Sequence, residues 1–200
     1  MILVNYDLNW KKNIDRIIKE SNKRMVFLHK LAKFTNNKKD LKKIYILQIR
    51  SKLEQSSVVW HSSITKQCEN NLERVQKSAL KVILGEKYVS YDNALKVLGL
   101  QSLKERREEL CLKFAKKCLM VPKLQRMFPR SHQNHIMDKR SPEVFQVKRG
   151  LTERLRRSAI PHMQRLLNMQ EKEQRDIHKH ILNFKPVNNG LACKSVSLRH

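Results

Sequence analysis

Glycine and proline are scarce in this chain, four and five among 200 residues. Collagen-like repeats and turn-rich β architectures need both at regular intervals, so these classes are disfavoured from the start. Acidic residues are few as well, 18 against 43 lysines and arginines. Polymerases and nucleases hold Mg²⁺ with clustered carboxylates, yet no two aspartates are adjacent anywhere in the sequence. Asp7, Asp15, Asp40 and Asp92 fall near helix starts or on helical faces, where capping accounts for them. The phosphate-loop, dinucleotide-loop and nucleophile-elbow patterns are all missing. The sequence displays no active site. The four cysteines, at 68, 111, 118 and 193, form no CxxC pair, which excludes a disulfide framework and points to a reducing, intracellular compartment, nucleus or cytoplasm. No apolar run approaches membrane-spanning length, and residues 1–4 give way at once to Asn5 and Asp7, too soon for a secretory leader. Aromatic residues are only 6% of the chain. Trp10, Phe27, Tyr45, Trp60 and Phe114 are interleaved with apolar residues, so core packing is expected for most of them, and a base-stacking platform of the RNA-recognition kind is not.

What is present is charge of one sign on a hydrophobic frame. The formal charge is +25 and 40% of the residues are hydrophobic. That is enough apolar material for one core plus an appended segment, and enough charge to self-repel unless a polyanion neutralises it. A nucleic acid is the first partner to expect and an anionic membrane surface, reached by the first helix, the next.

The apolar periodicity is helical. Trp10, Ile14, Ile17, Met25, Leu28 and Ala32 form one stripe, with Asn9 as candidate N-cap. Lys12, Arg16, Lys19, Lys23, Lys30 and Lys33 recur at the same spacing about half a turn away. From Lys11 to Lys52 there are 14 basic and three acidic residues, whereas an ordinary solvated face mixes signs. Asn37 and Asp40 mark a second helix start, followed by apolar residues around much of the circumference, which predicts packing on several sides. Thr65 precedes a third helix ending at Gly85, Ser90 and Gly99 bracket a short fourth, and Ser102 with Glu105 matches a capping box. Cys111 and Cys118, two turns apart on an apolar face, read as packed core cysteines. The predicted fold is mainly α: residues 1–9 as an exit strand, a compact helical bundle over 10–121, a linker over 122–143, and a basic segment over 144–170. That segment carries a short strand at 144–147 and a helix with Pro161 in its first turn. A poorly ordered tail is expected over 171–200. Arg149, Arg154, Arg156 and Arg157 make a second basic cluster. His132 with His135, and His178 with His180 and Cys193, have metal-compatible spacing but no CxxC partner, so no metal site is assigned. The expected mode of binding is phosphate contact by Lys and Arg, with about six neutralised phosphates giving a slope near −5 in log K against log salt.

Several blocks, in order, resemble the reverse transcriptases of non-LTR (LINE-type, jockey-like) retrotransposons. Residues 8–14 (LNWKKNI) resemble the segment leaving the palm. Residues 59–63 (VWHSS) are similar to a P-x-W block, with Val59 in place of the proline. Residues 72–85 (LERVQKSALKVILG) resemble an LE-x-VQ-x-x-A-x-R-x-I-x-G helix, with Lys81 at the arginine position. Residues 94–100 and 103–110 resemble the stretch that follows, and residues 152–161 and 163–168 an arginine-rich terminal block. The resemblance implies a thumb lying along a template–primer duplex, separated from a palm that carries the catalytic aspartates and their Mg²⁺. It leads us to expect a truncated RNA-directed DNA polymerase fragment that binds nucleic-acid backbone without catalysis alone, pairing with a palm in trans or with itself. The alternative is a free-standing basic helical binding protein repurposed from a transposon.

Overall fold

The structure, a computed structural model, describes residues 10–130, 144–147, 150 and 152–183. Its first helix, α1 (Lys11–Phe34), begins after Trp10, which is already helical in φ/ψ and makes no side-chain cap; Asn9 lies outside the described residues. Ile14, Ile17, Met25 and Leu28 are buried and Trp10 and Ala32 pack against them in part. Asn37 caps α2 (Lys38–Ile44), its side chain accepting from the Lys39 N–H at 3.1 Å.

From Tyr45 to Arg50 the chain continues as a π-helical stretch and then returns to α3 (Ser51–Leu53). The buried positions along this run are Leu41, Tyr45, Ile49 and Leu53, four residues apart each time. In an α-helix such a set drifts by about 40° per step; the wider π turn absorbs part of that drift and holds the set on one face. Packing is therefore one-sided rather than all-round, and Leu47 is left 69% exposed.

Ser56, at φ 54°, turns the chain into α4 (Ser57–Trp60) and a 3₁₀ turn at His61–Ser63. The Thr65 hydroxyl caps α5 (Lys66–Leu84) and Gly85, at φ 56°, ends it. Ser90 caps α6 (Tyr91–Leu98), which closes at Gly99 in the left-handed region. A capping box of Ser102 and Glu105 opens α7 (Leu103–Met120). Helices α1 and α5 lie side by side and run the same way. Residues 15–26 share a groove with 71–78, and 32–36 meet 82–87 at the other end. Gln76, buried in this first core, ties the pieces together. Its Oε1 accepts from the Tyr45 hydroxyl at 2.5 Å, and its Nε2 donates to Tyr91 Oη at 2.9 Å and Gln101 O at 3.0 Å. The Tyr91 hydroxyl in turn donates to Glu73, which accepts the Lys104 N–H.

A second core lies on the C-terminal half of α7. Cys111, Ala115 and Cys118 pack against Phe128, Phe145 and, from α10 (Ala159–Asn183), Met163 and Leu167. Burial pushes the Cys111 thiol up to about 11, as befits an inert packed cysteine. Three expectations change here. The described part of the expected linker folds: α8 (Pro122–Gln125) has proline in its first turn, and Phe128 is buried. Where a strand was expected at 144–147, the described residues show only an isolated bridge between Phe145 and Arg130. The reason is that the Asn168 side chain takes both backbone groups of Phe145, accepting from its N–H at 2.8 Å and donating to its C=O at 2.9 Å. Third, residues 171–183, read as tail, continue α10. Glu, Lys, Gln and Arg are strong helix formers, and they extend a helix already nucleated by its buried first half. Residues 184–200 lie outside the described residues.

The two cores meet at a polar junction. Arg107 is wholly buried; its Nε donates to His61 Nδ1 at 3.2 Å and its guanidinium lies 5.8 Å from the Trp60 ring centre. That bond requires His61 to be neutral with its proton on Nε2, which faces Glu108 at 3.9 Å. Burial, with Arg107 and His162 adding to it, pushes His61 down to about 4. The His162 ring of α10 meets it edge-on at 5.6 Å.

Candidate nucleic-acid interface

At 100° per residue, positions 12, 16, 19, 23, 30 and 33 of α1 fall within an arc of about 100° opposite the buried stripe. Lys12, Lys19, Lys23, Lys30 and Lys33 are exposed, and none of them forms an ion pair among the described residues. Arg16 differs. It is half-buried, with Nη1 on Glu20 at 3.0 Å and Nη2 on Asn13 at 3.3 Å. Glu20 also takes Lys52 from α3, and that bond, joined by Arg16, holds its carboxyl below the usual range. Arg16 thus bonds within α1, while Lys52 on Glu20 and Arg24, which donates to Gln48 O at 2.7 Å, fasten α1 to its neighbour.

The stripe carries like-charge neighbours at i,i+3 and i,i+4: Lys19 with Lys23 and Lys30 with Lys33. Each such pair costs an isolated helix about 0.2–0.5 kcal/mol, a repulsion that an external polyanion removes. Beside the stripe runs a groove of about 760 Å³ between α1 and α5, with Ile18, Val26 and Val75 among its lining. Lys19 and Lys23 line it from α1 and Arg74 from α5, with Asp15 the single acid. Arg74 was missed from sequence. Its signal was position alone, on the exposed side of an amphipathic helix three residues before Lys77.

The second predicted cluster is built differently. Thr152 caps α9 (Glu153–Arg156), accepting from Leu155 N–H at 3.3 Å. Arg156 pairs with Glu153 at 2.7 Å. Arg157 donates to Ile64 O at 3.2 Å, while its own carbonyl accepts from the Ser63 hydroxyl at 2.9 Å. Arg165 donates to Arg156 O at 2.8 Å. Arg154 is exposed and without an ion pair among the described residues. Arg149 lies outside the described residues. The helix thus gathers the five α1 lysines on one face, and the structure ties two of the three described arginines at and just after α9 to protein acceptors.

Several residues of the blocks that carry the family resemblance have structural work. Trp60 donates to Gln55 O at 3.0 Å from a wholly buried position, Glu73 and Gln76 hold the hydrogen-bond network, and Gly85 and Gly99 end helices. Among the described residues no group of three or more His, Cys, Asp or Glu is placed to hold a metal ion, so the residues present do not fit the Mg²⁺ of a polymerase centre. No helix among them is long and apolar enough to cross a membrane. No protein-family model, curated protein or solved structure matches the chain.

Proposed function

We propose that this chain is a helical module that binds nucleic-acid backbone through the solvent face of α1, in the manner of the thumb of a non-LTR retrotransposon reverse transcriptase. One observation carries the reading: five exposed lysines share one arc of one helix and have no ion-pair partner among the described residues. An array that is repulsive by itself becomes favourable against a line of phosphates, whose neutralisation releases condensed counterions. In this reading polymerisation belongs to palm carboxylates outside these residues, and the chain supplies grip. Incorporation of nucleotides on a template–primer by the purified chain alone would contradict that division.

The test is anisotropy with a labelled duplex at fixed moderate salt, comparing the protein with a variant carrying Lys→Gln at 12, 19, 23, 30 and 33. Affinity should fall by about 100-fold or more, with thermal stability unchanged because the replaced side chains are exposed and unpaired. Equal binding by both proteins would remove α1 from the interface.

A further inference from the structure

Phe27, which its apolar surroundings in sequence led us to expect in the core, is 54% exposed, and Phe34, two turns further along α1, is 87% exposed. Scattered exposed apolar residues need no explanation, but these two are not scattered. The positions Lys23, Phe27, Lys30 and Phe34 step by four, three and four residues, the spacing that stacks side chains along one helix face. The result is a stripe in which cation and aromatic ring alternate, running along one edge of the basic arc of α1. No Asp or Glu occurs from Ser21 to Lys39, a stretch that holds six lysines and arginines. A partner for this face therefore needs negative charge along its length and flat apolar surface between the charges.

Duplex nucleic acid offers the first and hides the second, since its base faces are stacked inside. A single strand offers both. We propose that the Lys23–Phe27–Lys30–Phe34 stripe binds single-stranded nucleic acid, each phenylalanine stacking on an unpaired base while the lysines meet the phosphates beside it. This rests on the backbone-binding reading above and adds the strandedness of the ligand. The geometry sets the form of binding. Seven helical residues separate the rings by about 10.5 Å along the axis, about three times the 3.4 Å rise between stacked bases. The two rings are therefore not rungs of one continuous stack. Each takes its own base, and the strand is opened out between them. Stacking is tolerant of base identity because every base has a π face, so no sequence preference is expected from these residues.

Anisotropy with a labelled single strand of about 12 nucleotides, and with a duplex of equal length, tests this directly. Phe27→Ala and Phe34→Ala should each weaken single-strand binding by about tenfold and leave duplex binding within about twofold. Phe27→Trp and Phe34→Trp should retain single-strand binding, because the ring face is kept. Both phenylalanines are exposed, so an unchanged thermal melt separates lost contact from lost fold. Equal losses on both ligands, or none on either, overturn the proposal while leaving backbone binding in place. Absence of binding to either ligand by the unaltered protein overturns both readings. A flotation arm with anionic vesicles closes the remaining route: phenylalanine-dependent vesicle binding without single-strand binding assigns the stripe to a membrane surface and overturns the proposal.

Discussion

The basic face of α1 and the arginine cluster of α9 look alike as strings of letters and differ in what their cations hold. On α1, Lys12, Lys19, Lys23, Lys30 and Lys33 project to solvent without an ion pair among the described residues, whereas Arg16 of the same face is tied to Glu20 and Asn13. On α9, Arg156 is closed on Glu153 and Arg157 reaches across to the carbonyl of Ile64. Density of positive charge therefore does not by itself mark a binding surface. A cation already satisfied by a protein acceptor gains less from a phosphate, and removing one that reaches a part-buried acceptor, as Arg157 does, costs the fold. The five lysines of the α1 face are available to a ligand because none is closed in an ion pair among the described residues.

The largest expected effect breaks the two regions apart. Lys→Gln at the five α1 positions should weaken duplex binding by about 100-fold at unchanged thermal midpoint, whereas Arg156→Gln with Arg157→Gln should lower the midpoint and keep most of the affinity. Comparable loss of binding in the α9 variant, with its stability intact, would erase the distinction drawn between them.

A second prediction concerns the frame that holds α1 in place. Gln76→Leu leaves the Tyr45 hydroxyl and the Gln101 carbonyl without their partner inside the core, and should cost about 2–4 kcal/mol of unfolding free energy, measured by urea denaturation. No loss would mean that the network is not what joins the π-helical stretch, α5 and α6.

Acid should loosen the junction between the two cores. His61, held neutral at about 4 in the folded state, takes up its proton near 6.5 once unfolded. The unfolded chain therefore binds more protons between these values, and stability, full above about pH 6.5, falls as pH drops toward about 4. The expected loss is on the order of 2–3 kcal/mol, with His162, also lowered by burial, acting in the same direction. Urea midpoints that stay flat over this range would contradict the neutral His61 assignment.

The smallest effect is at Arg154. Exposed and without an ion pair among the described residues, it should behave like an α1 lysine rather than like Arg157. Arg154→Gln should change stability by less than about 0.5 kcal/mol and make the salt slope shallower by about one at most. A drop in melting temperature would place it with its neighbours.

Much of the frame was legible in the sequence because its signals are local. Asn37, Thr65, Ser90 and Ser102 cap helices within three residues of themselves, and Gly85 and Gly99 end them by backbone geometry. The stripe of Lys12 through Lys33 was likewise a matter of spacing. What escaped depends on partners far along the chain. Arg157 looks like a free cation until Ile64, 93 residues away, is placed beside it. Residues 144–147 look like a strand until Asn168, 23 residues from Phe145, occupies the bonds a neighbouring strand would make. Phe27 looks like core by composition, but its angular position on α1 falls between the buried stripe and the lysines. Arg107, in a run of charged residues, gave no sign that it would be wholly buried against Trp60 and His61.

The central claim is that the α1 lysines, and not the overall charge of the chain, grip the phosphate backbone. The most direct measurement is the slope of log K against log salt for duplex binding, in the unaltered protein and in the five-lysine variant. Five phosphate contacts give a slope near −4.5, slightly shallower than the six-contact expectation because Arg16 is already paired. The account predicts that the variant's slope is shallower by about 4.5. Identical slopes in the two proteins would contradict it.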